Sequence, residues 1–292
     1  MSAVKLATPA RITRRHFLIG AGATAAGLAI YSGEIARHDL DITHQTISLS
    51  RLPPAFHGYR IIQLSDIHLD EFTEPAFLEY IVHRLNALTP DIVLLTGDFI
   101  TRGSLTFIAA NHAAYRCAEI LSTIKAPLIY AVLGNHDHAV RASLVINALK
   151  GVHIPVLINR NIPIDRNGDR IWLSGVDDPS AGIPNLDRAL PEDPGDNLVI
   201  LMSHGPDYAD NVIAHPRGKF VDLMLSGHSH GGQIRLPVVG PLVLPPWGKK
   251  YVEGYFRFNQ MQLYVNRGIG TVGLPFRLNC PPEMTVITLQ PA

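Results

Sequence analysis

The sequence predicts an α/β fold. Short, nearly continuous apolar runs recur at 60–65, 91–96, 128–133, 198–203 and 221–226. Runs of this length bounded by turn residues read as strands buried on both faces. Helical patterns fall between them. Each run also leads, directly or across one glycine, into Asp, Asn or His, and open α/β sheets bind ligands at such strand ends.

The elements follow in chain order. Thr13-Arg14-Arg15-His16-Phe17-Leu18 precedes a Gly/Ala-rich apolar stretch from Ile19 to Tyr31. A twin arginine before a mildly hydrophobic segment reads as a twin-arginine export signal. Residues 17–31 fall short of the roughly twenty needed to cross a bilayer untilted. The segment is therefore either cleaved, with Ala29 offering a weakly marked site, or kept as an anchor. Residues 1–36 are assigned to this signal or anchor, and 37–292 to one domain.

Within that domain, 75–88 places Phe77, Leu78, Ile81, Val82, Leu85 and Leu88 on one helical face, with Pro75 in the first turn. Further helices are predicted over 107–124 and over 140–150, the second stopping at Gly151. Residues 263–265 and 285–289 read as late strands. The proline-rich stretch 236–247 reads as an ordered loop beside the site, either a substrate rim or a crossover.

Five polar signatures carry the chemistry: Asp66-Ile67-His68, Gly97-Asp98, Gly134-Asn135-His136-Asp137, Ser203-His204-Gly205 and Gly227-His228-Ser229-His230. Alone, Asp66 or Asn135 would read as a turn or cap residue. As a set, with the glycines at 97, 134 and 227 allowing sharp turns and close approach, they supply enough ligands for two metal ions. The spacing of His228 and His230 suits one face of an extended segment. His38, His44, His57, His83, His112, His153 and His215 lie outside the signatures and read as scaffold residues. A donor set of imidazole, carboxylate and amide oxygen without thiolate suits manganese, iron, zinc or cobalt. Cys117 and Cys280 also lie outside the signatures. Cys117 reads as a small core residue, and a disulfide with Cys280 is the alternative.

The order of these signatures resembles the calcineurin-like metallophosphoesterase family, over about residues 40–290. Gly175-Val176-Asp177-Asp178-Pro179, Gly231-Gly232-Gln233, 265–270 and 277–283 are similar to an exported or membrane-associated bacterial subgroup. Some members of that subgroup hydrolyse the pyrophosphate of a UDP-linked diacylglucosamine, a lipid A precursor. The resemblance implies a four-layer α-β-β-α sandwich, two mixed sheets flanked by helices, with the metal site at the C-terminal ends of strands. It implies two divalent ions, manganese first. Asp66, His68, Asp98 and His230 would hold one, and Asp98, Asn135, His204 and His228 the other, with Asp98 bridging. A bridging hydroxide would attack phosphorus. His136 would contact the phosphate and protonate the leaving oxygen, with Asp137 or a backbone carbonyl orienting its ring. Arg235, Arg267 and Arg277 would either grip a second phosphate or a sugar or form surface salt bridges, two readings of equal standing. Asp70, where relatives often carry Gly, is the one departure from the pattern.

Composition narrows the partners. The chain has 25 basic and 25 acidic residues, and 47% of its residues are apolar. No dense basic run follows the signal, so no nucleic-acid surface is expected. The expected partners are a small or lipid-linked phosphoester, the twin-arginine translocation machinery and a membrane. An exported two-metal phosphodiesterase or pyrophosphatase is the leading reading. A UDP-2,3-diacylglucosamine diphosphatase is the alternative, although export would separate it from a cytosolic substrate. A non-catalytic metal-binding scaffold is the reading from another class.

Overall fold

The computed structural model describes residues 13–69, 72–102, 107–259 and 261–292, and Asp70 lies outside them. The strands are β1 (Asp41–Leu49), β2 (Arg60–Leu64), β3 (Ile92–Leu95), β4 (Ile129–Ala131), β5 (Arg160–Arg166), β6 (Asp169–Gly175) and β7 (Val199–Met202). There follow β8 (Leu223–Ser226), β9 (Arg235–Leu236), β10 (Gly240–Pro241), β11 (Gly254–Arg257), β12 (Gln262–Val265) and β13 (Glu283–Pro291). The α-helices are α1 (Arg14–Ile30), α2 (Pro75–Ala87), α3 (Phe107–Leu121), α4 (Asn135–Gly151), α5 (Leu186–Ala189) and α6 (Ala209–Ala214).

Two large mixed sheets result. The first runs β1-β13-β2-β3-β4 and the second β11-β12-β8-β7-β6-β5. In the first, β2, β3 and β4 are parallel and β13 runs against β2. In the second, β6, β7, β8 and β12 are parallel, with β5 and β11 antiparallel at the edges.

The period-2 alternation of a strand explains why these runs are apolar throughout. In β2, Ile62 and Leu64 pack towards the helical layer with Leu78, Ile81 and Leu121, while Ile61 points the other way. In β7, Ile200 and Met202 join Ile61, Leu94 and Ile287 between the sheets, while Val199 and Leu201 face Leu186, Ala209 and Val212 of the outer helices. Helices, sheet, sheet and helices thus form four layers around two sheet faces each. Because β2, β3, β4, β7 and β8 all contribute their C-terminal ends to one edge of this sandwich, the residues that follow them meet there.

Two expectations need correction. The helix expected over 140–150 begins at Asn135, so Asn135, His136 and Asp137 form its first turn; the backbone departs from helical geometry at Arg141. The apolar N-terminal segment is longer than its composition suggested. α1 continues through a π-helical turn at Tyr31–Ile35, and the 22 residues Arg14–Ile35 are long and apolar enough to cross a membrane. Cys117 and Cys280 are both buried and form no disulfide: Cys117 lies on α3 and packs into the core, as its sequence context suggests, and the Cys280 thiol donates to the His230 carbonyl at 3.2 Å.

Candidate metal centre

The loops after β2 and β3 are laced together. The Asp66 amide donates to Gly97 O at 2.9 Å and the His68 amide to Asp98 O at 3.1 Å. The loops from the second sheet reach the same point, since the His228 amide donates to both Asp66 carboxylate oxygens at 3.1 and 2.9 Å. This crossing requires unusual backbone. Asp66, His68, Asp98, His228 and His230 all adopt positive φ, between 49° and 70°. Non-glycine residues reach that region only at a cost, and clusters of them mark functional sites. It also corrects the expected extended geometry at His228 and His230, which reach two neighbouring positions instead of sharing one face. Glycine is required where loops touch: a Cβ at Gly134 would lie 2.1 Å from Asp98 Oδ1, and one at Gly227 2.3 Å from Asp66 Oδ2.

The result is two buried trios, Asp66–His68–His230 and Asp98–His204–His228, with the ligand atoms of each within 4.8 Å of one another. Asp66 Oδ1 lies 3.3 Å from His230 Nε2. Asp98 Oδ2 lies 3.5 Å from His68 Nε2 and 3.2 Å from His204 Nε2, so one carboxylate oxygen sits between the trios.

The donor set fits divalent cations. His204 Nδ1–H donates to Thr96 O at 2.7 Å and His228 Nε2–H to Pro246 O at 2.6 Å. With those bonds made, His204 Nε2 and His228 Nδ1 face each other at 3.1 Å, a contact closed by a proton on His204 or by a cation in its place. His68 Nε2 and His230 Nε2 face each other at 3.1 Å as well, and Thr101 Oγ1 holds the far nitrogen of His68 at 2.9 Å. Lone pairs held this close by partners behind them repel unless a proton or metal lies between. Asn135 Oδ1 is buried with no hydrogen-bond donor, an acceptor left for a cation.

Charge follows the same geometry. Burial opposes ionisation of Asp98, yet His204 beside it holds its carboxyl well below the usual range. Burial likewise disfavours a charged His204, but Asp98 raises it well above the ordinary imidazole value. Burial and the neighbouring His204 charge push His228 down to about 4. His228 is therefore neutral at physiological pH, the form in which an imidazole can take a cation.

His136 lies at the edge of this centre, its ring 4.8 Å from that of His68. Its orienting partner is neither Asp137 nor a carbonyl. The Arg102 amide donates to His136 Nδ1 at 2.9 Å. Asp137 is buried and fully engaged: its carboxylate accepts the amides of Gly134, Asp98 and Phe99, each at 2.9 Å. Burial and the nearby Asp98 raise its pKa to about 7. Asp137 ties the start of α4 to the loop after β3 and does not reach the His136 ring.

The three arginines expected at the substrate have protein partners. Arg277 is fully buried and donates to the carbonyls of Cys280, Arg267, Gly268 and Gly270, so it cannot meet a ligand. Arg267 pairs with Asp41 at 2.7 Å and Glu283 at 3.2 Å, and Arg235 pairs with Glu253. None of them lines the adjoining cavity of about 390 Å³. Asp98, Asn135, His136, His228 and His230 form its polar wall, and Ile234, Leu242, Val243, Pro245, Val272 and Leu274 an apolar one. The loop over 236–247 is thus a rim of the site, one of the two roles expected for it.

Sequence reasoning missed the groups that orient the ligands: Thr101, the Thr96 and Pro246 carbonyls and the Arg102 amide. Backbone groups carry no side-chain signal. Thr101 could have been found by its position three residues after Asp98. His138, just after the third signature, bonds Asp177 at 2.7 Å, within Gly-Val-Asp-Asp-Pro.

The four-layer fold and the paired Asp–His trios define a metallophosphoesterase. The chain belongs to the calcineurin-like phosphoesterase family, whose model matches residues 59–232, and it is a phosphoester hydrolase by class. It is 34% identical to the metallophosphoesterase YkuE of Bacillus subtilis, over 96% of this chain and 98% of that protein. It is 31% identical to phosphodiesterase YaeI of Escherichia coli, covering 95% and 99% respectively. UDP-2,3-diacylglucosamine pyrophosphatase LpxG of Chlamydia muridarum is 28% identical over 81% of this chain and 86% of that protein.

Proposed function

We propose that the protein hydrolyses phosphodiester or pyrophosphate bonds at a two-metal centre. Asp66, His68, Asp98 and His230 would hold one ion, and Asp98, Asn135, His204 and His228 the other. The observation that carries this is Asp98 Oδ2, within 3.5 Å of a histidine nitrogen from each trio. Manganese is the first choice of metal, on family resemblance.

Bound divalent ions supply an activated water nucleophile and neutralise charge on the phosphoryl oxygens. The chain's own residues do the rest. Thr96, Thr101 and Pro246 fix the ligand rings, so nitrogen lone pairs converge without reorganisation. His136, its Nδ1 already accepting from Arg102, carries its neutral-state proton on Nε2, ready for the leaving oxygen. The apolar wall excludes water from one side of the phosphate.

The twin arginine and the apolar helix support export by the twin-arginine route, to the periplasm or the outer face of the inner membrane, with the helical segment Arg14–Ile35 as an anchor if retained. The test of function is hydrolysis of bis-p-nitrophenyl phosphate with added manganese and with chelator. Chelator-sensitive turnover supports the reading; turnover unaffected by chelation refutes it. The resemblance to LpxG favours a second reading, pyrophosphate hydrolysis in a UDP-linked diacylglucosamine. Release of UMP from that compound would support it.

A further inference from the structure

Outside the metal centre, one surface stands out. Residues 236–246 read Leu-Pro-Val-Val-Gly-Pro-Leu-Val-Leu-Pro-Pro, without a polar side chain, and Val238, Val239, Leu242 and Val243 are exposed. Leu274, in the apolar run Val272-Gly273-Leu274-Pro275-Phe276, is exposed beside them. Val238 also holds a φ of 69°, a costly conformation for a β-branched residue that gains nothing from burial. Contiguous exposed apolar surface at a cavity mouth marks an interaction site.

The same surface is joined to the N-terminal helix. The Arg277 amide donates to Ser32 O at 3.0 Å. Gly33 packs so tightly on the loop that a Cβ there would lie 2.9 Å from the Phe276 ring. On the other side of that loop, the Arg235 amide donates to Leu278 O at 2.9 Å and the Leu278 amide to Gln233 O at 3.0 Å. Gln233 Nε2 donates to Leu274 O at 3.0 Å. The end of the exposed apolar helix, the 272–278 loop and the β9–β10 hairpin therefore form one connected unit at the cavity mouth. A helix long and apolar enough to cross a bilayer, fixed at this point, would bring the rim to the bilayer surface.

We propose that the rim docks on a phospholipid bilayer and that the cavity takes the phosphoester headgroup of a membrane lipid. Its acyl chain would lie along Leu242, Val243 and Leu274. The substrate assignment rests on the two-metal reading above; the docking does not.

The test uses full-length protein reconstituted into phosphatidylethanolamine–phosphatidylglycerol vesicles, with an environment-sensitive fluorophore at V238C or N167C. Both native thiols are buried, so the label goes to the introduced cysteine. Asn167 lies in the β5–β6 turn, at the N-terminal end of β6 and so at the opposite end of the sheet from the metal centre. A lipid-borne nitroxide is expected to quench the label at 238 several-fold more than the label at 167. V238D/V239D is expected to lower hydrolysis of a vesicle-borne diacylglycerophospho-p-nitrophenol about tenfold, with bis-p-nitrophenyl phosphate turnover held within about twofold. Equal quenching at the two positions overturns the docking. Equal losses on the two substrates overturn the lipid assignment. Lipid quenching at 238 in an unmodified protein that turns over neither substrate would uphold the docking and refute the hydrolase reading.

Discussion

The Arg102 backbone amide donates to His136 Nδ1 at 2.9 Å, and this fixes the proton of a neutral His136 on Nε2. No side chain is needed to set the tautomer. A backbone donor also cannot be removed by substitution, so His136 itself is the place to test its role.

His136→Ala is expected to slow hydrolysis of an alkyl phosphodiester by roughly 10²–10⁴-fold, the usual range for general acid catalysis. Loss on bis-p-nitrophenyl phosphate should be much smaller, because nitrophenolate leaves without a proton. Steady-state rates on the two substrates check this. Equal losses would make His136 a phosphate-positioning residue.

Asp137→Ala is expected to act on stability. It would strand the buried amides of Gly134, Asp98 and Phe99. A buried donor without a partner costs about 1–3 kcal/mol, so a loss on the order of 3 kcal/mol should appear in urea denaturation. An unchanged midpoint with reduced turnover would return Asp137 to a catalytic role.

Arg277→Met should likewise destabilise the fold and leave KM for soluble substrates unchanged. The guanidinium serves carbonyls around 267–270 and is closed to ligand. Thermal melts beside a KM measurement separate the two effects.

The His138–Asp177 pair sets a pH window. Its hydrogen bond to Asp177 raises His138 above 6.5, so that contribution is present below pH 6.5 and lost as pH rises through the raised value. Burial pushes Asp177 up, but the bond to His138 prevails and holds it below 3.8; its contribution is present above pH 3.8 and lost on acidification through the lowered value. The Tm difference between the unmodified protein and His138→Gln should therefore be largest between those pH values and shrink on either side.

Much of this was legible because the chemistry sits on a regular pattern. Continuous apolar runs announced strands with two buried faces, and Asp66, Asp98, His204 and His228 followed from their ends. The start of α4 was not legible, because Asn135 to Asp137 read as a motif and carry no helical periodicity. Arg235 and Arg267 form the salt bridges that were one of their two readings, but Arg277 escaped both, because charge in a loop gives no sign of burial: it spends its guanidinium on carbonyls brought near only by the fold. The attachment of the N-terminal helix was hidden for the same reason, since Gly33 and Phe276 are far apart in sequence.

The most direct test is the metal content of purified full-length protein, measured by plasma mass spectrometry beside turnover of bis-p-nitrophenyl phosphate. Two ions per chain are predicted, with Asp98→Ala losing ion pairing and activity together because both ions would share that carboxylate. An Asp98→Ala protein that keeps two ions and full turnover would contradict the account.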